Sequence, residues 1–117
     1  MNVALVIPAY NEEKYIGNCL DIAIKNSRGL FKEIIVVDNA STDKTAEVAS
    51  RYSNVRVVYE PQKGLTHARQ KGFEESKSEW IAYIDADSHL SKNWIEVAQR
   101  VLESKPEVIA LSGPRRY

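Results

Sequence analysis

The sequence predicts an α/β fold of three layers, with a mostly parallel sheet between two sets of helices. Two observations carry this. Five short apolar runs alternate with stretches whose apolar residues repeat at helical spacing, in the order β-α-β-α-β-α-β-α-β. The runs are also continuously apolar, as in Ile34-Ile35-Val36-Val37, instead of alternating with polar residues. Such strands are buried on both faces, as a parallel sheet covered by helices requires.

Taken in order, Val3 to Ile7 is the first strand, stopped by Pro8, which has no N–H for a sheet ladder. Ile16, Leu20, Ala23 and Ile24 fall at helical spacing, with Asn11 as the expected cap ahead of Glu12 and Glu13. Ile34 to Val37 is the second strand, and a polar turn from Asp38 to Asp43 follows. Thr42 or Asp43 caps a helix that carries Ala46, Val48, Ala49 and Tyr52. Val55 to Tyr59 is the third strand, closed by Pro61 and Gly64. A helix from Thr66 to Glu75 sets Ala68, Gly72 and Phe73 on its inner face. Trp80 to Ile84 is the fourth strand and runs into Asp85-Ala86-Asp87. Ser91 caps a last helix through Trp94, Val97, Ala98, Val101 and Leu102, and Val108 to Leu111 is a fifth strand.

The bulk figures suit this fold. A chain of 117 residues, 44% hydrophobic and 27% charged, is ordinary for one globular domain. Lys plus Arg and Asp plus Glu both number 16, which excludes whole-molecule attraction to nucleic acid or an anionic membrane. Cys19 is the only cysteine, so neither an intramolecular disulfide nor a thiolate metal cluster can form, in keeping with a reducing compartment. The N-terminus has no basic region ahead of its short apolar run, and no stretch approaches the roughly 18 apolar residues of a spanning helix. A soluble, cytoplasmic chain is expected. The sequence stops just after its fifth strand, which reads as a domain cut short there or completed by another chain.

In sheets of this kind, function gathers where loops leave the carboxyl ends of the strands. Strand one ends in Pro8-Ala9-Tyr10-Asn11-Glu12, strand two in Asp38-Asn39-Ala40-Ser41-Thr42-Asp43, and strand four in Asp85-Ala86-Asp87. Glu12, Asp38, Asp85 and Asp87 are therefore expected to converge on one edge. Unpaired, they would raise one another's pKa, a conflict that a divalent cation or a set of hydroxyl and imide donors resolves. Asp43 reads best as a helix cap. Asp38, Asp85 and Asp87 read as functional, because they follow buried strands directly.

These segments, in this order, resemble the GT-A family 2 glycosyltransferases: Pro8 to Glu13, Val36 to Asp43, and Asp85-Ala86-Asp87 as the D-x-D motif. Gly64 to Gly72 resembles the helix that precedes the D-x-D strand in that family. The match covers nearly the whole chain but corresponds only to the donor-binding half of the family domain, so residues 1–117 are expected to form an incomplete nucleotide-sugar-binding domain without the acceptor-binding half. The resemblance implies that Pro8, Ala9 and Tyr10 hold the nucleotide base and that Glu12 lies near the ribose or base. It implies that Asp38 accepts a hydrogen bond from the base imide and that Arg69 lies on the nucleotide side. Asp85 and Ala86 would contact the nucleotide sugar, Asp85 also reaching the metal through water, and Asp87 would ligate the metal directly. Mn²⁺ or Mg²⁺ is the implied cofactor, since hard oxygen ligands suit these ions better than zinc.

The implied reaction transfers a sugar from a UDP-, GDP- or dTDP-sugar to an acceptor, with inversion. An inverting transferase needs a general base, which in this family lies beyond the D-x-D strand. Glu103 and Glu107 are not assigned to that role, so no catalytic residue is identified. This chain alone is expected to bind donor weakly and to transfer sugar poorly or not at all. Of the basic groups Lys63, His67, Arg69 and Lys71, the sequence alone leaves open a phosphate grip or a solvated helix face. His67 and His89 read as structural or surface residues, and Trp80 and Trp94 as packing. A homo-oligomer, the missing half as a separate chain, and peripheral association with the inner face of a membrane are the further partners considered. The alternative function is a non-catalytic nucleotide-sugar-binding or interaction module. A dinucleotide-binding domain fails on its first turn, where Pro-Ala-Tyr-Asn-Glu-Glu replaces Gly-x-Gly-x-x-Gly. A phosphoacceptor signalling domain lacks its acid cluster after strand one, and a nucleotidyltransferase lacks its Gly-rich basic loop.

Overall fold

Strand β1 (Val3–Ala9) is the centre of a five-stranded sheet in the order β3-β2-β1-β4-β5, and every pairing in it is parallel. The computed structural model describes residues 2–94, 96–98, 100, 111 and 112. Around β1 lie α1 (Ile16–Ser27), β2 (Glu33–Asp38), α2 (Thr45–Ser50), β3 (Arg56–Tyr59), α3 (Leu65–Glu75), β4 (Trp80–Tyr83) and β5 (Leu111–Ser112). The expected fold class is observed.

The side chains of β1 and β2 explain the three layers. Val3, Leu5, Ile7, Ile34 and Val36 face a core shared with Ile16, Leu20 and Ala23 of α1 and Ala49 of α2. Val6, Ile35 and Val37 face the other side, against Ala68 of α3. Successive residues of a strand point to opposite faces, so a run such as Ile34 to Val37 must meet apolar partners on both. Gly72 lets α3 approach the sheet closely: a Cβ there would overlap Val6 Cγ1 and lie 3.4 Å from Val37 Cγ2. Trp80 and Trp94 pack against the α1 side of the core, as expected.

Several local expectations are corrected. Asn11 does not cap α1. It adopts φ 50°, and its Oδ1 accepts the Thr42 N–H at 2.8 Å, so it joins the loops after β1 and β2 instead. The entry to α1 is closed by the Glu12 carbonyl, which accepts from the N–H groups of Tyr15 and Ile16. Phe73 turns outward and is 61% exposed, because the inner face of α3 is already taken by Ala68 and Gly72. Val55 lies in a turn before β3, donating its N–H to Tyr52. As an edge strand β3 is exposed at both ends and only half-buried between them. Asp43 serves the head of α2 as expected: Oδ1 accepts from the Thr45 N–H and hydroxyl, and Oδ2 from the Glu13 N–H at 3.2 Å.

After β4, the Trp94 N–H bonds to the Ser91 carbonyl, and Trp94, residues 96–98 and Arg100 are helical. Val101, Leu102, Glu103, Glu107 and residues 108–110 lie outside the described residues. No helix among the described residues is long and apolar enough to cross a membrane.

Candidate functional site

The sheet order places a crevice beside β1. From β1 the chain adds β2 and β3 on one side, then crosses over to add β4 on the other. Loops leaving the carboxyl ends of β1 and β4 diverge at this switch point, and a ligand can enter between them.

On the β2 side of the crevice is a cavity of about 310 Å³ lined by Pro8, Ala9, Tyr10, Asn39, Lys63, Gly64, Leu65 and Ala68. Its volume is at the lower end for small-molecule sites, about 300–1,000 Å³. Tyr10 is 44% exposed at the rim. Lys63 Nζ lies 4.9 Å above its ring and 3.2 Å from its hydroxyl, combining a cation–π contact with a hydrogen bond. The result is a mostly apolar slot with an aromatic face and a cationic lip. Asp38, the last residue of β2, is buried, and its Oδ1 accepts the Ser41 N–H at 3.1 Å.

On the β4 side lies the acidic edge. Beyond β4 the chain makes a tight turn over residues 85–88, the Ser88 N–H donating to the Asp85 carbonyl at 2.9 Å, with Ile84, Ala86, Ser88 and Leu90 buried while Asp85 and Asp87 are exposed. The turn leaves both carboxylates on the outer side and Ala86 in the core between them. Helix α1 holds the segment from below. Cys19 Sγ approaches the Asp85 carbonyl at 3.8 Å, Asn18 Nδ2 lies 3.0 Å from His89 Nε2, and Asn26 Nδ2 donates to the Leu90 carbonyl at 2.7 Å. The Cys19 thiol is pushed up to about 12, first by burial and then by the charges of Asp87, Glu12 and Asp85. It is therefore a packing group and not a nucleophile.

Glu12 faces this edge from β1. Its N–H bonds Thr45 Oγ1 at 2.8 Å, and its buried Oε2 has no hydrogen-bond partner among the described residues. Burial raises its pKa, and the charges of Asp87, Asp43 and Asp85 raise it further. Glu12, Asp85 and Asp87 thus converge as the sequence predicts. The fourth member of this electrostatic cluster is Asp43, not Asp38, whose carboxylate is turned into its own loop toward Ser41. Among the described residues, no three His, Cys, Asp or Glu side chains are grouped to hold a metal ion by themselves.

The basic residues of the α3 region separate into different roles. Lys63 is on the cavity lip, and Lys71 pairs with Glu75 along the helix at 3.5 Å. Arg69 crosses to β4, its guanidinium 5.6 Å from the centre of the Tyr83 ring and its buried Nε without a partner among the described residues. It borders a second hollow of about 320 Å³ with Thr66, Gln70, Phe73 and Tyr83. His67 is exposed, and His89 is held by Asn18. Sequence reasoning did not single out Asn39 and Lys63 as cavity residues, nor Asn18 and Asn26 as supports. The position of Asn39, one residue past β2, and the basic run that includes Lys63 are the sequence signals that marked any of them.

The family model for glycosyl transferase family 2 matches residues 4–117. The chain belongs to this family. Among curated relatives, glycosyltransferase GlyG of Streptococcus pneumoniae is 32% identical over 120 residues, covering 98% of this chain and 40% of GlyG. Among solved structures, glucosyl-3-phosphoglycerate synthase from Mycobacterium tuberculosis, in complex with Mn²⁺, uridine diphosphate and phosphoglyceric acid, superposes with a TM-score of 0.72 at 26% identity. The match covers 86% of this chain and 38% of that one. The mannosyltransferase PcManGT from Pyrobaculum calidifontis, in complex with GDP-Man and Mn²⁺, gives 0.77 at 27% identity, covering 86% of this chain and 32% of its own. The family 2 chain described here therefore spans two fifths or less of the length of each, and its sheet is that of the GT-A glycosyltransferases.

Proposed function

We propose that this family 2 chain is the donor-binding part of a glycosyltransferase that uses a divalent cation to transfer a sugar, with inversion, from a nucleoside-diphosphate sugar to an acceptor. The observation that carries the reading is one juxtaposition at the switch point: an apolar slot at Pro8, Ala9 and Tyr10 on one side, and the cluster of Glu12, Asp85 and Asp87 on the other. A base in the slot and a diphosphate toward the acidic edge would span the crevice. That UDP and GDP-Man occupy two structures of the same fold, each with Mn²⁺, supports this ligand class.

In this reading Tyr10 packs on the base, with Pro8 and Ala9 forming the slot and Asp38 accepting from the base imide. Glu12 lies toward the ribose, and Arg69, with an unpartnered Nε, is the candidate to grip the diphosphate. The acidic edge also fits a divalent cation. Burial and the charges of Asp87, Asp43 and Asp85 raise the proton affinity of Glu12, and its Oε2 is buried without a donor, a conflict that a cation relieves. Asp87 would hold the ion directly and Asp85 through water, the diphosphate completing a set that protein carboxylates alone do not supply. When bound, Mn²⁺ or Mg²⁺ would neutralise charge on the leaving diphosphate.

Thermal unfolding with UDP, GDP and dTDP, each with and without Mn²⁺, tests the reading. A ligand that binds only the folded chain raises its stability by RT ln(1 + [L]/Kd), so weak sites register at high concentration. One nucleotide that stabilises the chain in the presence of metal is the expected result. No shift with any combination would overturn it.

A further inference from the structure

We propose that Asn39 is a positioning residue for base recognition, whose side chain sets the width of the cavity at Tyr10 and so selects the base admitted there. The inference rests on the donor-site reading above and adds to it a residue that contacts both walls of the slot.

The geometry is specific. The Asn39 main-chain N–H donates to the Ala9 carbonyl at 2.8 Å, which fixes the residue to the Pro8–Tyr10 wall. Its side chain is committed to the opposite wall. Nδ2 donates to the carbonyls of Glu60 at 3.1 Å and Gln62 at 2.7 Å, while Oδ1 accepts the Gly64 N–H at 2.9 Å. Lys63 and Gly64, within and beside that loop, line the cavity together with Leu65, the first residue of α3. Gly64 itself has φ 136°, a conformation open to glycine and hostile to other residues. The sharp entry into α3 is therefore held at the atom that Asn39 bonds. Both walls of the slot are referenced to one buried residue, 5% exposed.

Only an amide satisfies these partners. Two carbonyls need two N–H groups and one N–H needs an acceptor, and the carboxamide supplies all three. Aspartate has the same shape but would turn lone pairs toward the Glu60 and Gln62 carbonyls, with little water to intervene. The loop would then move, and the slot would lose its fixed width while the acidic edge at Asp85 and Asp87 stayed in place.

The test compares the chain with its Asn39→Asp variant by calorimetric titration against UDP, GDP, dTDP and, as a base-free probe, pyrophosphate with Mn²⁺. The expected result is a loss of about tenfold or more in affinity for the preferred nucleotide, on the order of one or two buried hydrogen bonds. Discrimination among the three bases should collapse, and pyrophosphate binding should stay unchanged. Unaltered base preference in the variant overturns the inference, and so does an equal loss toward nucleotides and pyrophosphate, which marks a structural role only. If the unsubstituted chain binds none of the nucleotides, the donor-site reading fails and the inference with it, a result distinct from a failure seen only in the variant comparison. Amide hydrogen exchange at Gly64 in the unsubstituted chain is a second readout that needs no variant to fold. Slow exchange is expected, and an unprotected Gly64 amide overturns the proposal.

Discussion

The side-chain amide of Asn26, on α1, donates to the main-chain carbonyl of Leu90 across 2.7 Å, joining the helix to the segment that follows Asp87. With the Asn18–His89 contact and the Cys19 approach to Asp85, it fixes this segment on both sides of the Asp87 carboxylate. Leu90 is 1% exposed, so water cannot easily replace the amide. Asn26→Ala should cost about 1–3 kcal/mol, the range for a buried polar group left unsatisfied. Urea denaturation reads the stability, and Mn²⁺-dependent nucleotide binding should weaken in parallel. Unchanged stability would mean that the carbonyl finds another donor.

Asp87 and Asp38 should fail differently. Asp87 follows β4 and is exposed on the acidic edge, whereas Asp38 ends β2 and is buried beside the turn to Ser41. Asp87→Ala should abolish metal-dependent nucleotide binding with the fold intact, since no buried contact is removed. Asp38→Ala should weaken binding and blur base preference while metal dependence survives. It should also cost about 1 kcal/mol of stability through the lost bond to the Ser41 N–H. Titration of each variant with nucleotide, with and without Mn²⁺, separates the two; the same phenotype from both would refute the division of roles.

The layers and the acidic edge were legible in the sequence because they depend on patterns with a local cause. Ile34 to Val37 must be buried on both faces, and Asp85 and Asp87 come directly after a buried strand with only Ala86 between them. What the sequence concealed depends on contacts between distant segments. Asn11 looks like a cap for the helix after it, yet it bonds Thr42, 31 residues away. Phe73 satisfies helical periodicity, but the inner face of α3 is closed by the approach of Gly72 to Val6. Asp43 was legible as a cap, and its place beside Glu12 was not, because two loops had to be brought together first. Asn39, Asn18 and Asn26 carry no periodic signal at all, since each bonds a main-chain or side-chain partner in another element.

Gly72→Ala sets two effects in opposition. Alanine favours a helix interior by about 1 kcal/mol over glycine. Its Cβ would overlap Val6 Cγ1 and crowd Cγ2 at 3.2 Å, on a strand held by neighbours on both sides. Overpacking of a close-packed core costs about 1–3 kcal/mol, so the sterics should win and the variant should unfold at lower urea concentration. A stabilised variant would show that α3 can shift outward at little cost.

Glu33 should make the chain acid-sensitive. Burial alone would raise its pKa, but hydrogen bonds from Ser78, Lys77 and Ser76, with Arg56 nearby, more than offset this and hold it below 4.5. The folded state thus binds this proton more weakly than the unfolded state does. Glu33 contributes its full stability above pH 4.5, and that contribution is lost as pH falls through the lower folded value. Glu33→Gln should be less stable than the unsubstituted chain near neutrality, and the gap should close in acid. Parallel melting curves for the two from pH 7 to 3 would contradict this.

Glu12 should show the opposite sign. Its pKa is raised above 4.5 by burial and by Asp87, Asp43 and Asp85, so the folded state holds its proton more tightly than the unfolded state. That contribution is complete below pH 4.5 and is lost as pH rises through the folded value, above which the ionised carboxylate carries a buried, unpartnered oxygen. Glu12→Gln removes the charge and keeps the shape. The variant should melt higher than the unsubstituted chain at neutral pH, with the difference shrinking in acid. The same change should weaken stabilisation by nucleotide with Mn²⁺, because one of the carboxylates that attract the cation is gone. Sites that concentrate like charge for a ligand are commonly less stable without it, and substitutions that relieve the strain commonly weaken function. A variant that melts lower near neutrality, or keeps full ligand-induced stabilisation, would show that Glu12 is a structural acceptor instead.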